Sequence, residues 1–143
     1  MAKLRKAQSI VIAVLVAGVI AGCSATGGPA GTAKQITSAD VPALTGTWNG
    51  LVSPSSGSNY PATLMIKPDG TYTSSGGAFL SEGKMQIVNG HIQFISTGGT
   101  GGMAASERSG SAVVMDRGNS WGLVGNGSSN VSGPFNFDFN KTK

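Results

Sequence analysis

Histidine and cysteine occur once each in 143 residues, as His91 and Cys23, and only six residues are acidic. These scarcities exclude a good deal of chemistry. A serine nucleophile with a histidine base would have to use His91, and no Gly-x-Ser-x-Gly elbow frames any serine. His91 follows directly on an Asn-Gly turn and reads as a solvated strand residue. Structural zinc needs more histidine and cysteine than the chain owns. The acidic residues stand singly along the chain, so the alternating carboxylates of a calcium loop are missing. The glycine-rich stretch 98–102 has no following lysine, and Gly83-Lys84 runs into Met85 where a phosphate-binding loop needs Ser or Thr. The expectation is a protein without catalytic residues, metal or cofactor, outside the enzymes.

What the chain does have begins at its first residues. Lys3, Arg5 and Lys6 precede an apolar run from Ile10 to Ile20. Crossing a bilayer as a helix takes about twenty apolar residues, and a run of about half that length fits the apolar core of a secretory signal. The run ends in Ile20-Ala21-Gly22-Cys23, which carries the one thiol. This stretch resembles the lipobox of bacterial lipoproteins: aliphatic, small, small, cysteine. The resemblance implies cleavage between Gly22 and Cys23. It also implies a diacylglyceryl group on the thiol and a further acyl chain, such as palmitate, on the new amino terminus. One acyl chain binds a membrane marginally, and two or more hold it stably. In that family an aspartate after the cysteine favours inner-membrane retention, so Ser24 points to the outer membrane if the envelope is Gram-negative.

Three of the ten basic residues lie before Cys23, leaving seven against six acidic ones. That balance removes the case for nucleic acid or an anionic lipid surface, which need clustered Lys and Arg. From Ser24 to Ala39 the residues are small or polar apart from Ile36, the composition of a flexible tether. All nine aromatic residues fall between Trp48 and Phe139. The expected organisation is a signal peptide over 1–22, a lipid-anchored tether over 23–45 and one folded domain over 46–143.

Within that domain no segment sustains apolar residues at helical spacing for three turns. Short strands are expected at Gly46–Val52, Ala62–Lys67, Thr71–Ser75, Lys84–Val88, His91–Thr97, Gly110–Asp116, Ser120–Gly125 and Pro134–Lys141. Pro68-Asp69-Gly70, Asn89-Gly90 and Gly118-Asn119 supply tight turns, which make consecutive strands antiparallel neighbours. In the last strand Phe135, Phe137 and Phe139 alternate with Asn136, Asp138 and Asn140, one face buried and the other wet. Eight such strands close most simply into an all-β, antiparallel up-and-down barrel, which removes exposed edges. A two-sheet β-sandwich is the alternative.

Gly46-Thr47-Trp48 resembles the Gly-x-Trp signature of lipocalins and related barrels, whose tryptophan plugs the closed end. The pattern departs from that family in two places. There is no Thr-Asp-Tyr motif, and the final strand offers Lys141 where the family packs an arginine over the tryptophan. The resemblance implies a barrel that takes a small apolar ligand, with Trp48, Trp121, Phe135, Phe137 and Phe139 as plug or ligand-lining residues. Tyr60 and Phe79-Leu80 sit in polar loops as gates, partner anchors or lids. The functional expectation is a lipid-anchored envelope protein, held by acyl chains on Cys23, that binds a small apolar ligand. The alternative is a protein-interaction or hydrolase-inhibitor module of the cell envelope.

Overall fold

The computed structural model describes residues 31–76, 79–98, 108–130 and 132–143. The expected signal peptide, the lipobox-like stretch with Cys23, and the expected tether up to residue 30 lie outside the described residues. So do residues 99–107, which include most of the 98–102 glycine stretch.

The chain forms an all-β closed barrel of eight antiparallel strands with one additional strand beside it. The additional strand is β1 (Thr32–Lys34). It is followed by a 3-10 turn (Ser38–Asp40) and a single helical turn, α1 (Val41–Leu44). The barrel strands are β2 (Gly46–Pro54), β3 (Tyr60–Ile66), β4 (Thr71–Gly76), β5 (Phe79–Val88), β6 (His91–Gly98), β7 (Arg108–Asp116), β8 (Ser120–Ser129) and β9 (Gly133–Thr142). Each pairs with the next, and β9 returns to β2 through Gly50↔Phe139 and Val52↔Phe137. The sheet therefore closes on itself, and the sandwich alternative does not form.

The turns behave as their residues dictate. Asn89 and Gly90 take φ of 52° and 79°, the pair of left-handed conformations a two-residue hairpin needs to match strand twist. At the β3–β4 turn, Asp69 Oδ1 accepts from the Thr71 amide at 2.9 Å and from its hydroxyl at 2.7 Å. These bonds hold the Asp69 carboxyl below the usual carboxylate range.

Closure also demands sharp bends. A Cβ at Gly50 would run into the carbonyl oxygen of Asp138 on β9, and one at Gly83 into that of Ile95 on β6. The strands approach there more closely than any side chain permits. At Gly83 the ladder also slips by a bulge between Glu82 and Gly83, which increases the local twist.

Alternation sets the core. Trp48, Ile92 and Leu123 are wholly buried, with Ile66 and Val114 beside them. On the wet side Arg117, from the β7–β8 turn, lies flat over Gly122. It donates to both Asp138 carboxylate oxygens at 2.9 Å and also to Asn140. A side chain at position 122 would meet the guanidinium carbon at 2.7 Å, so this outer clamp depends on the glycine.

One expectation needs correction: the tether does not reach Thr45. β6 pairs with β7 only from Ile92↔Ala112 to Ile95↔Ser109. Below that, Val114–Asp116 pair with β1 instead, through Lys34↔Val114 and Thr32↔Asp116. Ile36, isolated in sequence, is 2% exposed, and its amide donates to Gly90 O at 3.4 Å. Leu44 on α1 is 3% exposed. Lys34 and Thr37 both hold Asp40, at 3.1 Å from the lysine and 2.8 Å from the Thr37 amide. The folded unit thus begins by Thr32. The misreading has a physical cause: a polar strand pairs through its main chain, which composition does not display.

Candidate functional site

The two ends of the barrel differ. Residues 31–45 and the turns at 67–70, 89–90 and 117–119 gather at one end, and this end is filled. Trp48 is 0% exposed there. Its indole Nε1 donates to Leu44 O at 2.8 Å, so α1 supplies the polar partner a buried tryptophan needs. Lys141 Nζ stands 5.8 Å from the centre of the Trp48 ring. It donates to Ala43 O at 2.9 Å and also to Thr45 O. A lysine thus covers the tryptophan. Burial lowers the Lys141 pKa.

The other end holds a cavity of about 70 Å³. Its walls are aromatic, because Phe135, Phe137 and Phe139 project inward from β9 and meet Phe94 and Tyr72 across the lumen. Phe94 packs edge-on to Tyr72 at 5.1 Å and to Phe137 at 6.2 Å between ring centres. Room for these rings comes from β8, whose next two inward positions after Leu123 are glycines. A Cβ at Gly125 would lie 2.6 Å from Phe137 Cζ, and one at Gly127 would lie 2.5 Å from Phe135 Cζ.

Polar groups enter this wall at few points: Tyr60, Tyr72, Ser74, Ser81, Ser109, Ser132 and Arg108. Ser81 is 2% exposed, and its hydroxyl lies 3.2 Å from that of Ser96. Burial pushes the Tyr72 phenol above its ordinary range, against the opposing pull of a hydrogen bond with Ser81 and the positive charge of Arg108. The folded state therefore holds Tyr72 protonated. Its contribution is complete below about pH 10 and is lost as pH rises through the folded value. Lys141, with its lowered value, has the opposite slope in the alkaline range. Subtracting the pH–stability curve of Tyr72→Phe from that of the parent cancels Lys141. The difference is expected to fall steadily above pH 10, and a flat difference would show that the phenol is not buried.

The sequence candidates separate accordingly. Phe135, Phe137 and Phe139 line the cavity, and so does Tyr60, which opens β3 rather than lying in a loop. Trp48 and Trp121 do not line the cavity. Trp48 fills the opposite end. Trp121 is half-buried near β1, with Lys143 Nζ at 4.1 Å and Lys34 Nζ at 5.0 Å from its ring centre. His91 opens β6 at the filled end, far from the cavity. Leu80 stands 41% exposed, and the Phe79 side chain lies outside the described residues. Among the described residues no group of three His, Cys, Asp or Glu could hold a metal ion.

Sequence reasoning missed Tyr72, Ser81 and Arg108. The signal for Arg108 was the alternation Arg108, Gly110, Ala112, Val114, in which the last two are 1% exposed; starting that strand at Gly110 left the arginine out. Comparison with protein-family models, with curated proteins and with solved structures returns no match.

Proposed function

We propose that this chain is a lipid-anchored binding protein of the bacterial cell envelope, with the barrel taking a small apolar ligand at the end remote from the anchor. The carrying observation is the aromatic cavity of about 70 Å³. Ligand sites are typically concave and mostly apolar, with a few polar groups that fix orientation. The cavity has that character on a small scale. A volume under half of the roughly 150 Å³ that admits benzene limits what it encloses to a group of a few apolar carbons.

The anchor rests on Ile20-Ala21-Gly22-Cys23. With cleavage before Cys23, eight residues, Ser24 to Gly31, would link the lipid to the fold. Such a link spans at most about 28 Å. The chain enters at the filled end, so that end would face the membrane while the cavity faces the aqueous side. Cys23→Ala is expected to abolish lipid labelling and to leave the precursor uncleaved; an unchanged mature mass would overturn the anchor. For the binding role, native mass spectrometry of barrel protein mixed with envelope lipid extract is expected to reveal a bound small molecule. Protein that carries nothing from the extract would overturn it.

A further inference from the structure

The near-neutral balance of the chain after Cys23 hides a division between the two ends of the barrel. Of its seven basic residues only Arg108 stands at the cavity end. Lys34 closes β1, Lys67 opens the β3–β4 turn, Lys84 lies beside Thr71 at the start of β4, and Lys141 and Lys143 end the chain. These five lysines are spread round the rim of the filled end. Arg117 is there too, but Asp138 neutralises it. Among the described residues the carboxylates of this end are Asp40, Asp69 and Asp116, so the end is net positive. Lys34 pairs with Asp40 and Lys143 with Asp116. Lys67 and Lys84 are exposed and enter no ion pair among the described residues. They flank Thr71 in one row across the outer face. Trp121 stands half-buried at the same rim, with Lys34 and Lys143 beside its ring. An indole among lysines suits a membrane–water interface, where ring and lysine stems meet lipid and the polar tips stay wet.

From this arrangement we propose that the filled end is a docking surface for an anionic phospholipid bilayer, with Lys67, Lys84 and Trp121 at the headgroups. Two observations select this occupant. The charge is complementary, and the chain leaves the fold on this end, where Gly31 lies against Asp116 and Arg117. The proposal rests on the anchor read from Cys23 and adds which face of the barrel meets the membrane and which lipid chemistry it meets. Two uncompensated lysines bind an anionic surface weakly by themselves. A short tether makes that enough to orient the barrel, because a linked site meets its partner at high effective concentration.

Protein starting at Ser24, which has neither the thiol nor an acyl chain, is mixed with vesicles of phosphatidylcholine alone or of phosphatidylcholine and phosphatidylglycerol in equal parts. At low salt it is expected to bind the anionic vesicles about tenfold or more tightly, the weight of two uncompensated lysines, and to lose that difference at high salt. Emission from Trp121 should move to shorter wavelength, whereas Trp48, wholly buried, should not respond. The double variant Lys67→Gln, Lys84→Gln should lose most of the preference and keep its melting temperature, since neither lysine is paired. A spin-labelled headgroup should broaden the amides of the turns at 67–70 and 89–90 and spare Ser55 and Ser56 at the cavity end. Equal affinity for the two vesicles, no binding to either, or broadening confined to the cavity end overturns the proposal. The comparison on the parent protein decides even if a variant fails to fold. Because no acyl chain is present, the result stands apart from the labelling test of Cys23→Ala. Lipid on Cys23 with no vesicle preference overturns this surface alone, and vesicle preference without lipid on Cys23 overturns the anchor alone.

Discussion

Replacing Trp48 by alanine is expected to lower the free energy of unfolding by about 3–5 kcal/mol, the usual cost of deleting a large aromatic from a core. Several features place this residue at the upper end of that range. It is wholly buried, it lies at the filled end, where β2 leaves α1, and its indole binds the last carbonyl of α1. The cavity left behind could collapse only by moving α1, which Lys141 ties to β9 through the Ala43 and Thr45 carbonyls. Trp48→Phe separates the contributions. It retains most of the ring volume but leaves Leu44 O without its donor, at a cost of about 1–3 kcal/mol. Urea titrations of the three proteins measure both effects, and a Trp48→Ala midpoint within about 1 kcal/mol of the parent would show that the filled end is dispensable.

Removing residues 31–45 is expected to have an effect of the same order or larger. The deletion takes away β1, whose main chain occupies the side of β7 that β6 leaves open. It also takes Ile36 and Leu44, each worth roughly 1.5–3 kcal/mol of apolar burial, and the acceptor for Trp48. Together these losses approach the whole net stability of a small domain, about 5–15 kcal/mol. A chain starting at Gly46 should therefore melt far below one starting at Gly31, or show no cooperative transition. Thermal unfolding by circular dichroism checks this, and equal melting temperatures would return residues 31–45 to the role of a tether.

The legible parts of the fold share a property. Each was signalled by neighbours in sequence: Asn89-Gly90 and Pro68-Asp69-Gly70 carry their turn geometry in their own backbone preferences, and Phe135, Phe137 and Phe139 mark an inward face by alternation alone. β1 has no such signal, because three residues of a polar strand are held by hydrogen bonds to β7, some eighty positions away. Ile36 likewise looks like a stray apolar residue until the gap it fills is known. The cavity was half legible. Its phenylalanines stood out, but β8 was expected to end at Gly125, although the strand continues through Gly127 to Ser129. Its inward glycines give those rings their space, and their value exists only opposite Phe135 and Phe137.

By itself, then, the sequence determined the strand succession, the tight turns that make neighbours antiparallel, and the burial of one strand face, since all of these follow from local backbone preference and a period of two. It also carried the resemblance of Ile20-Ala21-Gly22-Cys23 to a lipobox, which is a linear pattern. Tertiary structure alone decided that Trp48 fills one end while the phenylalanines wall a cavity at the other, that β1 belongs to the fold, and that Arg108 stands over the aromatic lumen with Tyr72 and Ser81. Those outcomes depend on which strands meet across the barrel, and closure brings together residues that no sequence window contains.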